Sequence, residues 1–266
     1  MSALSLQRIG ALALRYLYLL RSSWIRIVEL AYWPTVQMIL WGFITRYLAG
    51  HSDVIHQASG LLLSGVLLWD ILFRSQLGLS VVFFEELHSR NLGQLFISPL
   101  QPLELILSLM LVSLARTLLG VGIAVLLAIP FYGFNLFQLG PPLASFFLNL
   151  ILMGWAIGLM VSALVLRNGM GAESIAWAAI FAIAPLCGIY YPISTLPGWL
   201  QPLSWALPAS HVFEGMRSVL LHHTFRADYL LYALLLNAGY LALGVSVFLG
   251  AIHGARERGS LLQSGE

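Results

Sequence analysis

Six apolar stretches, each about as long as a bilayer is thick, decide what this chain can fold into. A hydrocarbon core about 30 Å thick is crossed by about 20 helical residues, and only helices or closed barrels satisfy every backbone group in lipid. The runs cover roughly 30–48, 58–84, 104–130, 143–166, 174–190 and 229–252. Charged residues make up 9% of the 266 positions and mean hydropathy is +0.88. Soluble domains carry about 25% charge, so the chain reads as an all-α polytopic membrane protein with six transmembrane helices and no room for a soluble catalytic domain beside them.

Two segments depart from this pattern. Residues 4–26 place Arg8, Arg15, Ser22 and Arg26 at spacings of seven, seven and four, one stripe of a helix, while Ile9, Leu12, Leu17 and Leu20 take other faces. This predicts an amphipathic helix lying in the membrane surface within 1–28. A signal peptide is the competing reading, but Arg15 interrupts the apolar run and no small-residue cleavage site follows. Residues 190–227 hold Pro192, Pro197, Pro202 and Pro208, which exclude one continuous helix. With Trp199 and Trp205 they predict short broken helices dipping into the outer leaflet. The polar loop 50–57 and the stretch Glu85–Leu105 complete the punctuation.

Arginine reports orientation. All 13 basic residues are Arg. Arg8, Arg15, Arg21, Arg26, Arg90, Arg167, Arg256 and Arg258 fall on one side of a six-span chain, against Arg46, Arg217 and Arg226 on the other. The positive-inside rule puts both termini and Glu85–Leu105 in the cytoplasm. Across the chain the arginines are scattered between spans rather than gathered into one basic surface, so no nucleic-acid partner is expected.

Few residues carry chemistry. Asp70, Arg74 and Arg116 lie inside spans, where charge is expensive and pairs or faces water. Asp70 lies about 20 Å and Arg116 about 18 Å above the cytoplasmic face at 1.5 Å per residue, which permits an Asp70–Arg116 bridge. Asp70 and Arg74 can pair instead as i and i+4. His51, His56, His211, His222 and His223 lack the converging spacing of a zinc site, Cys187 sits alone in an apolar run, and no metal site is expected. No nucleophile elbow, phosphate-binding loop or pair of intramembrane carboxylates appears, so no catalytic residue is assigned. Gly154 and Gly158, and Gly250 and Gly254, form GxxxG pairs that suit internal packing or a dimer seam.

Two stretches carry a resemblance. Glu85, Glu86, Arg90, Asn91, Gln94, Leu95, Ser98 and Pro99 resemble the cytoplasmic segment "E…R..GTLE.LL.SPL" of type-2 permeases of ATP-binding cassette (ABC) transporters. Tyr191, Pro192, Leu196, Pro197, Trp199, Leu200, Pro202, Pro208 and Arg217 resemble that family's outer signature "FYP.S.LP.WLQP.....NP......R". Asn91-Leu92-Gly93-Gln94 stands where the family has Gly-Thr-Leu-Glu, and Leu207 where it has Asn.

The resemblance implies one ABC type-2 transmembrane domain over 1–266, half of an exporter of a bacterial cytoplasmic (inner) membrane. It implies a second, identical permease chain and two copies of a separate cytoplasmic ABC ATPase, which holds ATP and Mg. Residues 85–103 then contain the coupling helix, with Glu85, Glu86, Arg90, Asn91, Gln94 and Leu95 meeting the ATPase. Tyr191, Pro192, Pro197, Trp199 and Pro202 form the outer gate. Cargo would be amphipathic, lipid-linked, polysaccharide or drug-like, and Tyr32, Trp33 and Trp41 offer aromatic rings along its path. The rival readings are a membrane enzyme acting on lipid or peptide, which turns over alone, and a scaffold with no nucleotide-dependent activity.

Overall fold

The computed structural model describes residues 4–49 and 53–259. Its elements among these are all helical: α1 Leu6–Arg21, α2 Trp24–Ala49, α3 Asp53–His88, α4 Leu92–Ile97, α5 Pro102–Tyr132, α6 Pro141–Asn168, α7 Ser174–Ile183, α8 Gln201–Trp205, α9 Pro208–His222 and α10 Ala227–Glu257. Five are long and apolar enough to cross a membrane: α2, α3, α5, α6 and α10.

Chain direction follows from the connections. Helix α3 ends and α5 begins at the elbow that contains α4, so the far ends of α5 and α6 meet at the opposite pole, where Gly133 in the left-handed region (φ 63°) stops α5. Helix α6 therefore returns to the elbow pole. So does α10, since the Arg256 guanidinium sits 4.4 Å over the Phe96 ring of α4.

Helix α6 is the spine. A Cβ on Gly154 would fall 2.8 Å from the Leu72 carbonyl and closer still to the Ser75 hydroxyl, and one on Gly158 3.1 Å from the Gln76 carbonyl. The first GxxxG pair thus seats α3. On another side Gly244 of α10 approaches the Ala156 carbonyl, and Asn237 donates from Nδ2 to Asn149 Oδ1 (3.0 Å), a buried polar clamp. The second GxxxG pair meets nothing at Gly250 and only Arg258 at Gly254. A hydrogen-bond chain ties three helices: Trp155 Nε1 donates to Ser113 Oγ, which donates to the Ser75 carbonyl.

Four expectations change. The apolar span itself covers Gly60–His88, but its helix already begins at Asp53, within the expected loop, of which 50–52 including His51 lies outside the described residues. The N-terminal helix stops at Arg21, and Arg26 belongs to α2, since Ser22 and Ser23 break the run. The arginine stripe does not simply lie in the surface: Arg8 and Arg15, partly exposed, pair with buried carboxylates of α5 and α3. Finally, 174–190 is a ten-residue helix continued by a 3-10 turn, Ala184–Cys187. Pro185 and left-handed Gly188 (φ 64°) end it early, short of the length of its neighbours.

Candidate functional site: an elbow beneath a charged cavity

The elbow is built from a tight reversal. After His88 the chain turns through Arg90, a non-glycine residue at φ 54°, and the Asn91 amide donates back to the Glu86 carbonyl. The Asn91 side chain donates to Glu86 Oε2 (2.8 Å). One turn and a half of helix follows, then Ser98-Pro99 and the N1 proline of α5. Gln101 and Glu104 form a capping box there.

The acidic pair parts company. Glu86 is buried at 3% exposure and its carboxylate meets Arg15 of α1 at 2.9 Å. Glu85 turns between α2 and α5, 3.6 Å from Arg26 of α2 and 3.8 Å from Arg116 of α5. A third carboxylate completes the fastening of α1: Glu104 accepts from Arg8 Nε and Nη2 at 3.0 and 2.7 Å and from the Ser5 amide at 2.8 Å. The elbow is thus keyed into the bundle, while Arg90, Gln94 and Ile97 remain exposed, Ile97 at 84%. Gln94 and Ile97, three apart, share one face of α4, and Arg90 precedes them in the turn. Leu95 is half-buried beneath them and Asn91 is held in the turn.

Above the elbow lies a cavity of about 460 Å³ between α2, α3, α5 and α7. Arg26, Glu29, Arg74, Glu85 and Arg116 supply its charge; Trp33, Phe73, Trp177 and Phe181 supply aromatic wall. Arg74 pairs with Asp70 at 3.9 Å as i and i+4, and Arg116 goes to Glu85, so the Asp70–Arg116 bridge does not form. Of the three aromatic residues expected on a path, Trp33 lines the cavity. Tyr32 packs edge-on against it at 5.4 Å, and Trp41 stacks on Tyr190 at 4.7 Å near the far pole. Glu29, Phe73, Trp177 and Phe181 were not singled out from sequence: in an apolar run an aromatic residue facing a cavity looks like one facing lipid.

The broken segment closes the far pole as a hydrogen-bonded knot. Glu214 of α9 accepts from the Ile193 amide (2.8 Å) and pairs with Arg217, which also donates to the Gly188 carbonyl. Tyr191 donates to the Pro185 carbonyl (2.6 Å), and Ser204 to Leu186. Pro192 and Pro202 start the turn 193–195 and α8, the Pro197 carbonyl accepts from the Leu200 amide, and Trp199 projects at 73% exposure. Glu214, an organiser of this knot, was not foreseen; its only local signal is the three-residue spacing to Arg217. Among the described residues no group of three or more His, Cys, Asp or Glu comes together.

The family model for the ABC-2 type transporter matches residues 16–221, most of the chain. The chain belongs to the ABC-2 type transporter family. It is a multi-pass membrane component of that transporter class, a family of transport permeases. ABC transporter G family member 20 of Dictyostelium discoideum is 35% identical over 107 residues, 39% of this chain and 14% of that relative. The chain thus spans a small part of the length of the curated relative it matches. The ABC-2 match runs from Tyr16, inside α1, to Leu221, inside α9, and so takes in the elbow, the cavity and the far-pole knot.

Proposed function

We propose that this chain is the permease half of an ATP-driven exporter, and that a separate ABC ATPase seats on the exposed face of α4. The observation that carries the reading is the elbow's construction. Arg90, Gln94 and Ile97 offer a small charged and apolar docking face. The residues directly behind them, Glu85 and Glu86, grip three other helices through Arg26, Arg116 and Arg15. Packed helices rearrange between discrete states rather than bending, so a push on α4 reaches the cavity as a rigid-body shift.

In this reading the elbow pole is cytoplasmic, with α1 and the end of α10 beside it. The segment from α7 to Gly188 then makes a sixth, short crossing, because α6 stops at the elbow pole and α10 starts at the other. Two permease chains, identical to one another, and two ATPase subunits holding ATP and Mg make the working unit in a bacterial inner membrane. An amphipathic cargo enters through the cavity, past Trp33, and leaves beneath the far-pole knot that contains Tyr191, Pro197 and Trp199.

The test is co-purification of the ATPase with the membrane-inserted chain, followed by Arg90→Glu and Ile97→Glu. Both variants are expected to insert normally, lose the ATPase from the complex and abolish transport-linked ATP hydrolysis. An ATPase that remains bound and coupled in both variants rules out docking at α4.

A further inference from the structure

We infer that the cavity above the elbow is a binding site for the oxyanion head of an amphiphile, held by Arg74 and Arg116. This deepens the permease reading by naming a ligand class for its cavity, but its evidence is independent of any ATPase.

The argument is one of unmet donors. Arg74 and Arg116 are 9% and 8% exposed, so each guanidinium is taken out of water. A buried guanidinium is stable only where its N–H fork is filled. Arg8 shows what filling looks like in this chain: its bonds to Glu104 run from 2.7 to 3.0 Å. The two cavity arginines are different. Arg74 meets Asp70 at 3.9 Å and Arg116 meets Glu85 at 3.8 Å, both beyond hydrogen-bond length. The Nε of each is buried with no hydrogen-bond partner. The Glu85 side chain, by contrast, is 35% exposed, so water reaches its carboxylate. The unmet groups fully shut off from water are therefore arginine donors, which a cationic ligand would not fill. A phosphate, sulfonate or carboxylate oxygen pair matches the guanidinium fork in a bidentate way.

The surroundings extend the inference to an amphiphile. Asp70 and Glu85 balance the arginines at a distance that leaves their N–H groups available, so the site carries donors without a large net charge. The cavity volume of about 460 Å³ suits a small-molecule head, and Trp33, Trp177 and Phe181 continue from it as an aromatic wall that is itself half-exposed at 54%, 47% and 56%. An acyl or aryl tail lies along that wall toward the hydrocarbon while the head stays at the arginines.

The experiment uses the purified chain in phosphatidylcholine discs, with tryptophan fluorescence as readout because Trp33 and Trp177 line the cavity. Dodecyl phosphate is expected to change the signal saturably. Dodecyltrimethylammonium, dodecyl maltoside and inorganic phosphate are expected not to. Arg116→Gln should weaken binding at least tenfold, and Arg116→Lys, which keeps the charge but not the fork, should weaken it less. Removing Arg74 alone would strand Asp70, so the second variant is the neutral pair Asp70→Asn with Arg74→Gln, expected to match Arg116→Gln. Equal binding of the cationic or neutral amphiphile, or unchanged affinity in both Gln variants, overturns the inference; so does binding of inorganic phosphate alone at equal affinity. Discs containing phosphatidylglycerol separate the sources. If they abolish the response, a bilayer lipid head occupies the site; if the response persists, a free amphiphile does. Loss of the ATPase with binding intact would reject the permease reading alone, and the reverse outcome the ligand class alone.

Discussion

At the residue scale, Glu85 and Glu86 are neighbours with opposite assignments. On a helix, adjacent positions point about 100° apart, so one carboxylate turns to the cavity and the other to α1. Glu86 is the more costly to lose, because Arg15 and the Asn91 side chain both depend on it. Glu86→Gln should destabilise the elbow by about 1–3 kcal/mol, with Arg15 partly able to find water. Limited proteolysis checks this: cleavage between α1 and α2 should become faster while the spans stay protected.

His211 supplies a second residue-scale prediction. Burial among Trp205, Tyr229 and Tyr232 pushes its pKa down, against the opposing pull of the Trp205 carbonyl and Asp228. A depressed pKa leaves stability intact above the unfolded value of about 6.5. Below it the unfolded chain takes the proton more readily, and stability falls. Melting temperature should drop between neutral and mildly acid pH in the wild type, and less in His211→Phe.

At the element scale, the first GxxxG pair makes a sharp comparison with the second. Gly154→Val places methyl groups where the Leu72 carbonyl and Ser75 hydroxyl already sit, and overpacking of this kind costs about 1–3 kcal/mol or more. Gly250→Val meets open space and should leave melting in detergent unchanged. Sequence pattern alone did not distinguish the two, since GxxxG is defined by spacing and says nothing of what lies opposite. The same limit runs through the rest of the site. Five long helices were legible because hydropathy is a local property that reads out at the length of a bilayer. The arginine stripe of α1 was legible too. Its destination was not: Glu86 and Glu104 lie 71 and 96 residues along the chain from their partners. Aromatic residues of α7 escaped notice because the run 174–190 looks uniformly apolar, and nothing local marks Trp177 and Phe181 as cavity wall.

At the scale of the whole molecule the two poles are built differently: carboxylate–arginine pairs between helices key the elbow, while at the other end a single pair, Glu214 with Arg217, ties backbone groups of a proline-broken segment. That polarity has a topological consequence. If α7 does not cross, Gly171 and Thr224 lie on the same side of the membrane and the end of α10 lies opposite the elbow. If it does cross, they lie on opposite sides and α10 ends beside α4, an arrangement that the Arg256 contact with Phe96 supports. Cys187 is fully buried, so single cysteines can be added without a competing thiol at the surface. Gly171→Cys sits in open space and Thr224→Cys on an exposed turn. In sealed inside-out vesicles a membrane-impermeant maleimide should label Ser89→Cys and Gly171→Cys but not Thr224→Cys, and right-side-out vesicles should reverse the pattern. Labelling of Gly171→Cys and Thr224→Cys from one side would reduce α7 to a re-entrant helix and break the six-crossing topology.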